Sequence, residues 1–207
     1  MAPANHTGQN KDNTGNQLFP VFLKLNELHT VLIGAGNVGL EKLTAILSNS
    51  NSATVTVIAR EVFQEVHQLS DHYVGVNILQ KSFEPADLDV ADIVVAATDD
   101  SELNKQIRQA AKARKLLINV ADKPELCDFY LGSVVKKGDL KLGISTNGKS
   151  PTVAKRIKEM LNASLPDELD ITLQQLNELR NSLTGDFAYK VKELNRITAM
   201  LSATDKK

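Results

Sequence analysis

The chain has 207 residues, 42% hydrophobic and 24% charged, with a formal net charge of -1, a single cysteine and no tryptophan. That length holds one good-sized core, or one domain with an appendage, and the near-neutral charge argues against nucleic acid or a membrane surface as partner. No apolar run approaches the ~20 residues that span a bilayer, and a lone Cys127 excludes an internal disulfide and suits a reducing cytoplasm.

Residues 1–17 are rich in Asn, Gly and Gln, without an apolar stretch. They read as a disordered tail rather than a signal peptide. The run His29–Ile33 is β-branched and apolar, as a buried parallel strand requires. Gly34-Ala35-Gly36-Asn37-Val38-Gly39 follows it, and then a helix with Leu40, Leu43 and Leu47 on one face. Strand, glycine loop and helix in that order form a dinucleotide fingerprint. The first glycine permits the turn, the second lets backbone approach a pyrophosphate, and the third brings helix against strand.

Further strands are expected at Ala53–Ala59, Val74–Gln80, Ile93–Ala97 and Leu116–Val120, with helices at Glu61–His72 and Ser101–Lys115. Asp99 reads as the N-cap of the latter, with Glu102 completing a capping box. This alternation implies an α/β fold, a Rossmann-type doubly wound parallel sheet. The rhythm then breaks into a β-hairpin, Leu131–Lys136 and Leu140–Ser145. A helix follows with Ser150 as N-cap and Pro151 at its first position, ending near Pro166. Two amphipathic helices come last, one bearing Leu173, Leu176, Leu179 and Leu183, the other Val191, Leu194, Ile197 and Leu201. The expected organisation is a Rossmann domain at 18–122, a segment at 123–150 and a helical domain at 151–207.

Ligands of open α/β sheets sit beyond the carboxyl ends of the strands. Gly34–Gly39, Thr98 with Asp99 and Asp100, and Asn119 to Asp122 all end there. Asp122 is therefore a candidate general base, or else a turn carboxylate. A solvated aspartate is a weak base that desolvation strengthens. At the end of the second strand, Arg60 would suit a ribose 2′-phosphate and Glu61 a 2′-hydroxyl, so both NADP and NAD stay open. Ser145-Thr146-Asn147-Gly148-Lys149-Ser150 places hydroxyls, an amide and an ammonium at a helix start, a suitable anion site. Between Lys136 and Lys158 seven cations stand against Asp139 alone, which points to a polyanionic ligand or to a solvated charged face. His6, His29, His67 and His72 form no metal-ligand pattern, and no protein metal site is expected.

Leu18–Leu23, Gly34–Gly39, Ala96–Asp100, Asn119–Asp122, Cys127–Phe129 and Gly148–Pro151, in this order, resemble the precorrin-2 dehydrogenase family. This is the dehydrogenase portion of siroheme synthases, here similar to its stand-alone form, and the resemblance covers about residues 18–165. It implies NAD-dependent oxidation of precorrin-2 to sirohydrochlorin in the cytoplasm, in some members with ferrous iron insertion to give siroheme. It also implies a homodimer whose subunits exchange contacts through 123–150. The family's essential aspartate falls on Asp122. Its cofactor contacts fall on the glycine loop, with Asn37 and Val38, and on Arg60 and Glu61. Thr98 is a further cofactor candidate. Asn119, Ser145, Thr146, Asn147, Gly148, Lys149 and Ser150 are candidates for the substrate carboxylates. Two other readings compete: a nucleotide-sensing Rossmann module, as in a regulatory domain of a transport system, and an oxidoreductase for another small substrate.

Overall fold

The β-branched run at 29–35 is the middle strand of a five-stranded sheet in the computed structural model, which describes residues 15–167 and 169–199. Most of the expected tail, His6 and Leu201 lie outside the described residues. The strands are β1 (His29–Ala35), β2 (Thr54–Val62), β3 (Val76–Gln80), β4 (Ile93–Ala96) and β5 (Leu117–Val120). All pair in parallel, in the order β3-β2-β1-β4-β5. Helices α1 (Asn37–Asn49), α2 (Gln64–Ser70) and α3 (Ser101–Ala113) connect them.

Side chains alternate across a strand, and β1 shows the consequence. Val31 and Ile33 join one core cluster with Ile107 and Ala111 of α3. Leu32 joins the other with Leu43 and Leu47 of α1 and Val66 of α2. Both faces of β1 are thus covered, which is why its central residues, Val31–Ile33, are all apolar. Each fully buried Leu or Ile contributes about 1.5–3 kcal/mol. The chain runs outward from β1 to β3, then returns to the other side of β1 for β4 and β5. The crevice between β1 and β4 is the point where strand order reverses, and there such sheets take their ligands.

The sheet departs from expectation in three places. The expected helix at Glu61–His72 starts only at Gln64, because β2 runs on to Val62. Its pairing with β1 jumps from Ile33↔Ile58 to Ala35↔Val62, so extra residues of β2 bulge out around Arg60 and Glu61. Asp99 is not the cap of α3. Asp100 holds that position, its carboxylate accepting from the N–H groups of Glu102 and Leu103. α3 also stops at Ala113, and the backbone turns through Lys115 at φ +59°.

Beyond the sheet, β6 (Ser133–Lys137) and β7 (Leu140–Ile144) form the antiparallel hairpin. α4 (Pro151–Ser164) opens with the Ser150 hydroxyl accepting from the Val153 N–H. α5 (Leu169–Ser182) and α6 (Phe187–Thr198) follow. Leu183 lies just past the end of α5, its N–H still bonded to Leu179. The Asp170 carboxylate accepts from the Asp139 N–H in the hairpin turn, and Lys137 pairs with Asp167. The chain divides into two compact units, residues 19–131 and residues 132–199 with 15–18. No helix among the described residues is long and apolar enough to cross a membrane.

Candidate active site

At the carboxyl end of β1 the glycine loop is shaped by backbone meeting backbone. Gly34 has φ +105°, and a Cβ there would lie 2.3 Å from the Ala97 carbonyl oxygen in the loop after β4. A Cβ on Gly39 would lie 2.2 Å from the Gly34 carbonyl oxygen. These two glycines are required by the protein's own packing. Gly36 differs: a Cβ there would meet nothing closer than the Phe63 ring, at 3.8 Å. It is also the N-cap residue of α1 and brings no side-chain cap. The first N–H groups of α1 therefore face outward beside open space. This cradle fits a pyrophosphate, which takes such N–H groups and the positive end of the helix.

The other strand ends complete this edge. Thr98, after β4, donates its hydroxyl to Asn104 Oδ1 at 2.8 Å, and Asn104 Nδ2 donates to the Thr98 carbonyl at 3.0 Å. Asn104 is 2% exposed, so this reciprocal pair ties the loop to α3. Sequence reasoning missed Asn104. Its signal was a polar residue on the same helical face as Ile107 and Ala111. Arg60 and Glu61, in the β2 bulge, are exposed; the Arg60 carbonyl accepts from the Gln80 amide at 3.1 Å, and neither side chain forms a salt bridge with a described residue. Asn37 and Val38 are exposed at the start of α1.

Asp122 follows β5 with φ +57°, the left-handed conformation that aspartate tolerates better than most residues. Its side chain is exposed and bonds to no described residue. A scaffold around it holds that turn. The Val120 N–H donates to Cys127 Sγ at 3.2 Å, and the thiol lies 3.3 Å from the Lys123 carbonyl oxygen. Burial pushes the Cys127 thiol pKa up, so it stands as a neutral packing group. Asn119 is 6% exposed, and its amide donates to the Phe129 carbonyl. The Asp128 N–H donates to the Ile118 carbonyl, and its carboxylate accepts from the Ile118 N–H. Residues 127–129 thereby cover the outer edge of β5. Arg108 of α3 bonds the Asp128 carboxylate and holds its pKa below the usual carboxylate range.

The basic loop belongs to the other unit. Asn147 (φ +54°) and Gly148 (φ +71°) form its tip, with the Lys149 N–H donating to the Thr146 carbonyl, as in a type I′ turn. The Thr146 hydroxyl bridges to the Ser150 backbone, and Ser145 Oγ accepts from the Asn147 N–H. Lys149 is exposed and pairs with no described residue, whereas Lys137 and Arg156 are neutralised by Asp167 and Glu159. The positive surplus expected over 136–158 is therefore smaller than a count of charges suggests. Among the described residues no group of three or more His, Cys, Asp or Glu side chains is placed to hold a metal ion.

Residues 21–133 match the family model described as "Putative NAD(P)-binding", and residues 137–164 match the one described as "Sirohaem biosynthesis protein central". The siroheme synthase of Pseudoalteromonas atlantica is 32% identical over 171 residues, covering 83% of this chain and 36% of that protein. Siroheme synthase 1 of Cronobacter sakazakii is 35% identical over 153 residues, covering 74% of this chain and 32% of that protein. The chain thus spans about a third of the length of these curated relatives. Among solved structures, "SirC, precorrin-2 dehydrogenase" superposes with a TM-score of 0.72 at 26% identity, over 87% of this chain and 89% of that one.

Proposed function

The chain belongs to the NAD(P)-binding family whose model its residues 21–133 match, and on that premise we propose that it oxidises precorrin-2 to sirohydrochlorin, with NAD as the electron acceptor. The observation that carries this reading is the match to SirC over nearly the whole of both chains. The sheet edge supplies the chemistry the reaction needs. When bound, NAD accepts a hydride, and so the electron pair, from a ring carbon of the substrate. The glycine loop and the start of α1 hold its pyrophosphate. Asp122, at the same edge and without a side-chain partner among the described residues, takes the proton that leaves the macrocycle. Asp122 lies two strands from Gly34 in the sheet order, about 10 Å at ordinary strand spacing.

Precorrin-2 is a polycarboxylate, and Lys149 with the hydroxyls and amides of 145–150 is the group suited to bind it. A homodimer belongs to the same proposal. It is supported by the low burial of 132–199, where α5 and α6 contain no buried residue among those described. Asp122 would also collect pyrrole protons if ferrous iron enters the product. The deciding experiment supplies precorrin-2 and NAD to the purified chain. Appearance of the sirohydrochlorin spectrum with matching NADH formation is expected, and its absence overturns the reading. A parallel reaction of sirohydrochlorin with ferrous iron, with and without protein, separates iron insertion from dehydrogenation.

A further inference from the structure

We infer that Phe63 forms a wall of the subsite for the adenosine half of the dinucleotide. The inference rests on the cofactor reading above and deepens it. With the pyrophosphate at the glycine loop, the two nucleoside halves must extend to opposite sides of β1. The side toward β4 and β5 carries Asp122, so the reacting nicotinamide belongs there. The adenosine half is left with the β2 side, where an open α/β sheet contacts the ribose of that half.

Phe63 stands at that side. It directly follows β2 and the bulge bearing Arg60 and Glu61. Its N–H donates to the Ala35 carbonyl at 3.1 Å, which fixes its backbone to the glycine loop itself. Among the described residues, leaving aside the helix and chain neighbours of Gly36, its ring is the group within 4 Å of the place a Gly36 Cβ would occupy, at 3.8 Å, so it borders the open side of the cradle. Phe63 is 42% exposed and belongs to neither core cluster. As the N-cap residue of α2 it offers no capping bond, a position where Ser, Thr, Asp or Asn would stabilise the helix. Neither membership of the core nor capping accounts for a phenyl group at this point. A purine does: its flat face covers an aromatic ring and removes both from water.

The test titrates the full chain with NAD, ADP-ribose and nicotinamide mononucleotide by calorimetry. Phe63→Ala is expected to weaken NAD and ADP-ribose roughly tenfold and to leave the mononucleotide, which lacks adenosine, unchanged. Phe63→Tyr should restore affinity. The melting temperature should hold, because the ring is outside the core. Wild-type affinity of Phe63→Ala for NAD would overturn the inference, and so would an equal loss for the mononucleotide. If the wild-type chain itself binds neither NAD nor ADP-ribose, the cofactor reading falls, and this inference with it.

Discussion

Each of the two units is stabilised internally in a different way. In residues 19–131 two clusters of buried side chains fill both faces of the sheet. In the second unit, Val135 and Ala154 are the buried hydrophobic residues among those described, while Ile171, Phe187 and Tyr189 stand more than half exposed. The first unit can therefore hold its loops rigid from within. Two of its positive-φ positions, Gly34 and Asp122, are at the ligand edge, where a well-packed sheet can maintain such backbone conformations, while a third, Lys115, turns the chain into β5 at the opposite end. The second unit holds its hairpin turn and helix starts with exposed polar contacts: Asp170 to the turn, Lys137 to Asp167, and Ser150 on α4. The firmly packed edge of the first unit suits the proposed proton transfer, and the exposed Lys149 of the second suits the proposed recognition of carboxylates.

The largest expected effect tests whether the edge does the chemistry. Asp122→Ala should lower turnover by about 10²–10⁴-fold, as loss of a general base does, with NAD affinity unchanged by calorimetry. Retained turnover would take Asp122 out of the reaction. Next, the glycines should divide by role. Gly34→Ala puts a side chain into the Ala97 carbonyl at positive φ and should cost about 3 kcal/mol or more of stability. Gly36→Ala should leave the melting temperature almost unchanged while NAD binding is lost. Equal destabilisation by both would show that the cradle is only a packing device.

The clasp on β5 is smaller. Asp128→Ala removes the partner of Arg108 and of the Ile118 N–H and should cost about 1–2 kcal/mol at neutral pH. Because the folded-state pKa of Asp128 is depressed, its stabilisation is present above the ordinary aspartate value of ~3.9 and is lost as pH falls through the lower folded value. Denaturation curves of wild type and variant should therefore converge in acid, and a gap that stays constant with pH would remove the ion pair from the account. The smallest effect falls in the second unit. Lys149→Ala should raise the substrate KM several-fold at low salt and less at high salt, since exposed charges are screened, with kcat held. An unchanged KM would mean that recognition of the carboxylates lies elsewhere.

Much of this is legible in the sequence. The apolar, β-branched runs marked the strands, because a strand covered on both faces is mostly apolar, with the few buried polar residues such as Thr30, Thr56 and Asn119 as exceptions. Gly34–Gly39 between a strand and a helix marked the cradle, and Ser150-Pro151 marked the start of α4. Local chemistry was enough for each. The bulge in β2 was not legible, since a run of strand-forming residues does not reveal where pairing with a neighbour slips. That is why the helix expected from Glu61 began later, and why Arg60 and Glu61 could not settle the ribose question. The cap of α3 moved from Asp99 to Asp100 because adjacent aspartates offer the same chemistry, and backbone geometry alone selects between them.

The sequence by itself therefore determined the kind of sheet, the place of the glycine loop and the residues available for catalysis. These depend on periodicity and on the chemistry of near neighbours along the chain. Only the tertiary structure decided which glycine is open to a ligand, which polar groups are consumed in holding loops, and that Phe63 borders the cradle. Those facts turn on contacts between residues distant in sequence: Gly34 with Ala97, Asn119 with Phe129, Gly36 with Phe63. No local pattern encodes such distances, because they are set by how the strands line up once the core has closed.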